Sequence, residues 1–423
     1  MKPSLARLPP LIAIRQRFPP SSLPDFDRVI GSGLPAAMGR LRPGARMAVA
    51  VGSRGIANLS IIVRAVIRTL QGAGARPFIL PAMGSHGGAS AAGQSALLAD
   101  YGITEAALGV PLRPSMEVQT VGSVIPGFEV LVSREAFMAD GVILINRIKP
   151  HTDFAGAIGS GLLKMLVVGL GKHAGAAQFH AAAGRLGYEH VLRAHAHALL
   201  GALRVAGGVA VLEDQRHQTA RVEVLRPFEI EAQEARLCGE AKALMPRLPF
   251  KDIDLLIVDR MGKNLSGTGM DPMVIGRSIH GYSLVSSADD AGVRVRRLFV
   301  RDLTPESHGN AIGIGLADFT TTRLVQAMDR AVTSVNALTA LSLQGAKVPL
   351  HFDTDREVLA NALGTLGLSG PQEPRIVRIR DTLSLEELQI STALLPEVGG
   401  RADLEVIGEP RRVEFDADGN LAC

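Results

Sequence analysis

The chain has 423 residues, 47% hydrophobic and 20% charged, which is too long for one core and too apolar for disorder, so two folded domains are expected. An aromatic share of 4% with no tryptophan excludes a single-strand nucleic-acid platform, on which bases stack against exposed rings. The net charge of +4 is spread along the chain, which implies a weak pull on small anions and neither a nucleic-acid nor a membrane footprint.

The first twenty residues are broken by prolines and lack a long apolar core, so no signal peptide is expected. Apolar β-type runs then alternate with helical stretches, the pattern of a parallel-sheet α/β protein. Strands are predicted over 45–53, 76–85 and 140–148, with helices over 57–74 and 90–102 that end in glycine. Each strand runs into a polar or glycine-bearing turn, and three such turns carry Ser53-Arg54, Ser85-His86 and Lys149-Pro150-His151. Ligands of open α/β sheets bind beyond the strand C-termini, so these turns are the places to look.

Between Lys149 and His180 lies a glycine-rich, aliphatic stretch holding His151, Lys164 and His180. Only eight of the 45 basic residues are lysine, which makes each lysine less of a surface filler and singles out Lys164 in its apolar Leu-Leu-Lys-Met-Leu setting. After the proline-flanked junction at 246–250, a new strand is predicted at 252–260, followed by a second glycine-rich stretch at 262–271. A loop entering a helix is expected over 304–329, and late strand material over 376–391. The domains are therefore drawn as 1–247 and 248–423, with the last ~25 residues free to return to the first. The two cysteines, Cys238 and Cys423, lie far apart, which excludes a cysteine metal cluster and fits a reducing, cytoplasmic setting. His195 and His197, two apart on one helix, point about 200° from each other and cannot share a metal.

Taken singly, His86 and His151 read as turn or structural histidines as readily as functional ones, His180 reads as a surface or packing residue, and Lys164 either reaches for solvent or is desolvated for a purpose, the second being the better reading. Together, two histidines on separate strand ends, a desolvated lysine and a histidine 16 residues beyond it resemble the nickel-pincer lactate racemase family. The resemblance runs through most of the chain and is strongest from Val49 to His180. It implies two α/β domains with parallel or mixed sheets flanked by helices, and an active site in the cleft between them. It also implies an isomerase, a racemase or epimerase acting on a 2-hydroxy acid or sugar acid by hydride abstraction and return. The cofactor implied is the nickel-pincer nucleotide, pyridinium-3,5-bisthiocarboxylic acid mononucleotide nickel, covalently attached at Lys164.

By the same resemblance, His180 is the metal ligand and His86 and His151 are the acid/base pair. Imidazole suits both tasks, since it titrates near neutrality and binds nickel when neutral. Arg54 is expected at the substrate, with Lys263 or Arg277 as a cation from the second domain, and Ser53 and Lys172 are assigned to the cofactor. Expected partners are a small anionic hydroxy acid and the enzymes that make the cofactor. Departures from the family pattern are Val51 in place of an acid, Gly87-Gly88 in place of an arginine after the histidine, and no tyrosine-glutamine helix in the second half. Lactate is therefore not the expected substrate. One rival is an NAD(P)-dependent dehydrogenase, prompted by Gly169, Gly171 and Gly175 after the apolar run 164–168, although the third glycine comes one place late. The other is a non-catalytic nickel-nucleotide binding protein, which would have no use for both His86 and His151.

Overall fold

A computed structural model describes residues 5, 8–19, 21–52, 55–151, 156–277, 292–368 and 372–422. The chain forms two compact units, Pro20–Met245 and Pro246–Cys423 joined by the segment up to Pro19.

In the Pro20–Met245 unit, a five-stranded sheet runs in the order Arg76–Pro81, Arg46–Val51, Gly141–Arg147, Val205–Glu213, Thr219–Leu225. The first four strands are parallel and the last is antiparallel. Alternation along the central strands supplies both faces, as burial on two sides demands. Ala48, Ala50, Val142 and Leu144 face one core, built with Leu162–Leu170, Phe179 and Tyr188. Met47, Val49, Val51, Ile143 and Ile145 face the other, under the helices Phe26–Met38 and Leu59–Gly72. Asp25 caps the first of these helices by accepting from the Arg28 amide at 3.0 Å. The strand order reverses between Arg46–Val51 and Gly141–Arg147, and the turn after the latter carries His151.

The other unit holds an eight-stranded mixed sheet, with Leu350–Phe352, Phe319–Thr321, Arg294–Leu303, Asp252–Met261 and Ile376–Ile379 running parallel. Glu387–Ser391, Leu11–Gln16 and Leu404–Val406 complete it as antiparallel strands. Two boundary expectations are corrected here. The strand Leu11–Gln16 lies in this sheet and not with the residues that follow it, because its alternating Ile12 and Ile14 fill this unit's core. The last residues likewise stay in this unit: Asp355 accepts from the Leu421 amide at 2.9 Å, and Arg301 donates to the Leu421 carbonyl at 3.0 Å. Neither pairing partner is close in sequence, which is why the linear pattern missed both.

The loop expected at 304–329 also contains the 3-10 turns Pro305–Ser307 and Ile314–Leu316 and the short strand Phe319–Thr321, whose Thr321 caps the helix Thr322–Ala327. Among the described residues, no helix is long and apolar enough to cross a membrane.

Candidate functional site

Three adjacent parallel strands of the Pro20–Met245 unit, Arg76–Pro81, Arg46–Val51 and Gly141–Arg147, end on one side of the sheet, and the turns that carry His86 and His151 follow the outer two. Ser53 and Arg54 lie outside the described residues. Beyond Arg147, Lys149 and Ser160 exchange backbone hydrogen bonds at 2.8 Å each way, folding the His151 segment back against the approach to Lys164. Gly159 is needed there, since a methyl group would overlap the His151 amide. Asn146, at the strand end, donates to the Gly161 carbonyl at 2.7 Å and fastens the same approach from below.

Lys164 closes the short helical turn Leu162–Lys164 and leads into a π-helical turn, Met165–Gly169. Such wide turns recur at functional sites because they turn a side chain away from the regular helical progression. The Lys164 Nζ lies 2.9 Å from His151 Nε2, in hydrogen-bond contact. Tyr188 is the floor of this pair: its ring centroid is 4.4 Å from that of His151 and 5.7 Å from the Lys164 Nζ. The ring is held by its hydroxyl, which donates to the Gly159 carbonyl at 3.0 Å.

His180 lies on the helix Lys172–Leu186, against the edge of Phe179, which in turn packs edge-on against Tyr188. Burial, reinforced by the Lys164 charge, pushes the His180 pKa down to about 4. Its imidazole is therefore neutral at ordinary pH, with a lone pair to offer. The His86 turn rests on the same structure, with the Gly84 amide donating to the Gly169 carbonyl at 3.2 Å. Buried Gln94 ties the turn down by donating to the Gly84 carbonyl at 3.0 Å and the His86 carbonyl at 3.4 Å. His86 itself is half-exposed at the strand edge.

Lys172 is placed differently from its assignment beside a nucleotide. It is fully buried, and its ammonium donates to the Pro81 carbonyl at 2.5 Å and to Gln94 Oε1 at 3.5 Å. Burial pushes its pKa down to about 8 against the opposing pull of Glu135. In this position it braces the end of the strand that leads to His86. The run 164–168 is helical and not a strand, so Gly169, Gly171 and Gly175 lack the strand–turn–helix setting of a dinucleotide fingerprint. This removes the sequence basis of the dehydrogenase reading. His195 and His197 diverge as expected: His195 is buried on the Val191 carbonyl at 3.0 Å, and His197 pairs with Glu231 at 2.5 Å.

In the other unit, Lys263 donates to the Gly267 carbonyl at 2.6 Å and to Asn336 at 2.7 Å. Arg277 is paired with Asp318 at 3.0 Å and also donates to the Val295 carbonyl. Neutralised by that carboxylate, Arg277 is a weaker anchor for an anionic ligand than Lys263.

Sequence reasoning passed over Glu234 and Tyr188. Glu234, on the helix Ile230–Leu244, is fully buried against Gly161 and accepts from the Leu163 amide at 2.9 Å; its other carboxyl oxygen has no hydrogen-bond partner. Burial, only partly opposed by the Leu163 and Leu162 amides, pushes its pKa up to about 7 from 4.5. No local signal marks it, because a glutamate on an amphipathic helix is ordinarily solvated. A raised folded-state pKa adds stability below the unfolded value that is lost as pH rises through the folded one. The stability difference between wild type and Glu234→Gln should therefore shift against wild type as pH climbs from 4.5 to about 7. Parallel urea melts across that window check this, and a constant difference would show an unperturbed carboxyl.

Residues 53–248 match the sequence family model described as a domain of unknown function (DUF362). No curated protein matches the chain. Among solved structures, lactate racemase apoprotein from Thermoanaerobacterium thermosaccharolyticum is similar over 89% of this chain and 99% of its own, with a TM-score of 0.51 and 15% identity. A structural-genomics protein from Thermotoga maritima is similar over 67% of this chain and 72% of its own, with a TM-score of 0.50 and 14% identity. At these identities what is shared is the fold, so the chain has a mixed α/β fold of the kind seen in lactate racemase.

Proposed function

We propose that the protein is a nickel-pincer nucleotide-dependent racemase or epimerase of a 2-hydroxy acid or sugar acid. The observation that carries this reading is the meeting of a lysine amine and a histidine at 2.9 Å, beside a histidine kept neutral by burial and by that same lysine's charge. The fold shared with lactate racemase supports it.

The residues present fit such a cofactor. Lys164 is only half-buried, so an acyl group can reach its amine, while the surrounding wall is backbone and apolar side chain. Among the described residues no three His, Cys, Asp or Glu side chains gather as a metal site, so a metal at His180 needs donors carried by the cofactor itself. When bound, this group supplies reversible hydride acceptance.

The chain's own residues then have separable tasks. Lys164 holds the cofactor as an amide-type adduct, and His180 offers a neutral nitrogen to the nickel. His86 and His151 hold and move the proton of the substrate hydroxyl as the carbon becomes planar, and either can return it. Arg54 is the cation proposed for the substrate carboxylate, with Ser53 beside the cofactor. A cytoplasmic setting and cofactor-making enzymes as partners belong to the same reading.

The test is to co-express the chain with cofactor-making enzymes and measure intact mass, nickel content and isomerisation of a hydroxy-acid panel in D2O. The expected result is an adduct on Lys164, about one nickel per chain, and product whose Cα hydrogen has not exchanged with solvent. Activity from an unmodified, nickel-free chain, or Cα deuterium in the product, would sink the proposal.

A further inference from the structure

The pair formed by Lys164 and His151 has a chemistry of its own that needs no metal. A hydrogen bond between two basic nitrogens requires one to donate and the other to offer a lone pair, so at 2.9 Å one proton is shared between the Lys164 amine and His151 Nε2, and with the more basic lysine holding it the imidazole is the acceptor. An amine poised on a base is the arrangement that turns a lysine into a nucleophile. The imidazole is oriented from two sides, by the Tyr188 ring and by the backbone bridge between Lys149 and Ser160. The lysine is oriented separately, by the turn whose start is held by Asn146 on Gly161 and Glu234 on Leu163.

From the 2.9 Å juxtaposition of Lys164 Nζ and His151 Nε2, we infer that the chain catalyses its own acylation at Lys164, with His151 as the general base. The inference rests on the reading that Lys164 carries a covalent group. The acyl donor is an activated carboxyl compound: a thiocarboxylic acid, which leaves hydrosulfide, or an ester, thioester or acyl phosphate. One proton of the ammonium passes to His151 Nε2, and the freed nitrogen lone pair attacks the acyl carbon. A carbon–nitrogen bond forms, the bond to the leaving group breaks, and the leaving group departs with a second proton from nitrogen. His151 then returns its proton to solvent. No oxidant or reductant is required. His151 would so serve twice, once in mounting the cofactor and afterwards in proton transfer to substrate.

The experiment treats the full-length chain with p-nitrophenyl acetate at neutral pH and follows acetylation of each lysine by peptide mass spectrometry. Lys251 and Lys347, both exposed, are the internal references. Lys164 should react at least about tenfold faster than either, and His151→Gln should bring it down to their rate, with the fold verified by circular dichroism. In His151→Ala, added imidazole should restore the ratio of Lys164 to reference acetylation, an independent arm should the glutamine variant fail to fold. Equal rates at all three lysines in the wild type would overturn the inference. So would an undiminished Lys164 rate in His151→Gln, or no recovery with imidazole in a folded His151→Ala. Selective acetylation in a chain that never takes up nickel would remove the proposed function and leave this inference standing. Cofactor loading with unselective acetylation would do the reverse.

Discussion

Lys164→Ala, co-expressed with the cofactor-making enzymes, should show the unmodified mass and no turnover, because the substitution removes the only nitrogen in the Leu162–Gly169 stretch able to form the tether. His86→Ala should behave differently. Gln94 holds the turn by the Gly84 and His86 carbonyls, which His86→Ala keeps, so the adduct should persist while turnover falls by about 10²–10⁴, the usual worth of an acid/base group. Intact mass and progress curves on the two variants separate the tasks. An adduct retained in Lys164→Ala, or full turnover in His86→Ala, would show that the assignments are wrong.

Asp355→Ala should be the most damaging single change to stability in the Pro246–Cys423 unit. The Asp355 carboxylate is fully buried and receives Arg301 at 2.7 Å, Arg323 at 2.7 Å and the Leu421 amide at 2.9 Å. Arg301 also reaches Asp259 at 2.8 Å, which is shared with Arg378 at 2.9 Å. Removing the carboxylate leaves buried guanidinium charge under-compensated, which destabilises by about 3–5 kcal/mol, far more than the pair itself contributes. It also removes the acceptor of the Leu421 amide, leaving the chain end there with the Arg301 bond to the Leu421 carbonyl. Thermal and urea unfolding should show the transition of this unit moved down on the order of 10 °C, with Asp355→Asn intermediate because it keeps an acceptor for the Leu421 amide. A loss under about 1 kcal/mol would mean the arginines find other partners or water.

How much of this was legible in advance depended on distance along the chain. The strands Arg46–Val51, Arg76–Pro81, Gly141–Arg147 and Asp252–Met261 each fall within or beside the predicted runs, because continuous apolar β-branched stretches between glycine-bearing turns have few other solutions. The helices Leu59–Gly72 and Ala91–Asp100 were as clear. The apolar run 164–168 was not, since short aliphatic runs carry no periodicity that separates a strand from a buried helical turn. It proved helical, and with it went the dinucleotide reading. Lys172 shows the same limit for a side chain: a lysine beside glycines reads as an anion contact, yet it braces the Pro81 carbonyl from within the core.

What the sequence determined by itself is the inventory: which side chains can accept a proton, bind a metal or carry an acyl group, and that three of the turns follow strands. Those facts are local, set by residue chemistry and by patterns a few residues long. What only the tertiary structure decided is adjacency. It placed Tyr188 beneath His151 and Lys164, set Glu234 against Gly161 from 73 residues away, and joined Leu11–Gln16 to a sheet formed mostly after residue 250. Such contacts are chosen by packing and by the need to satisfy buried polar groups across the whole unit, and a linear pattern does not record them.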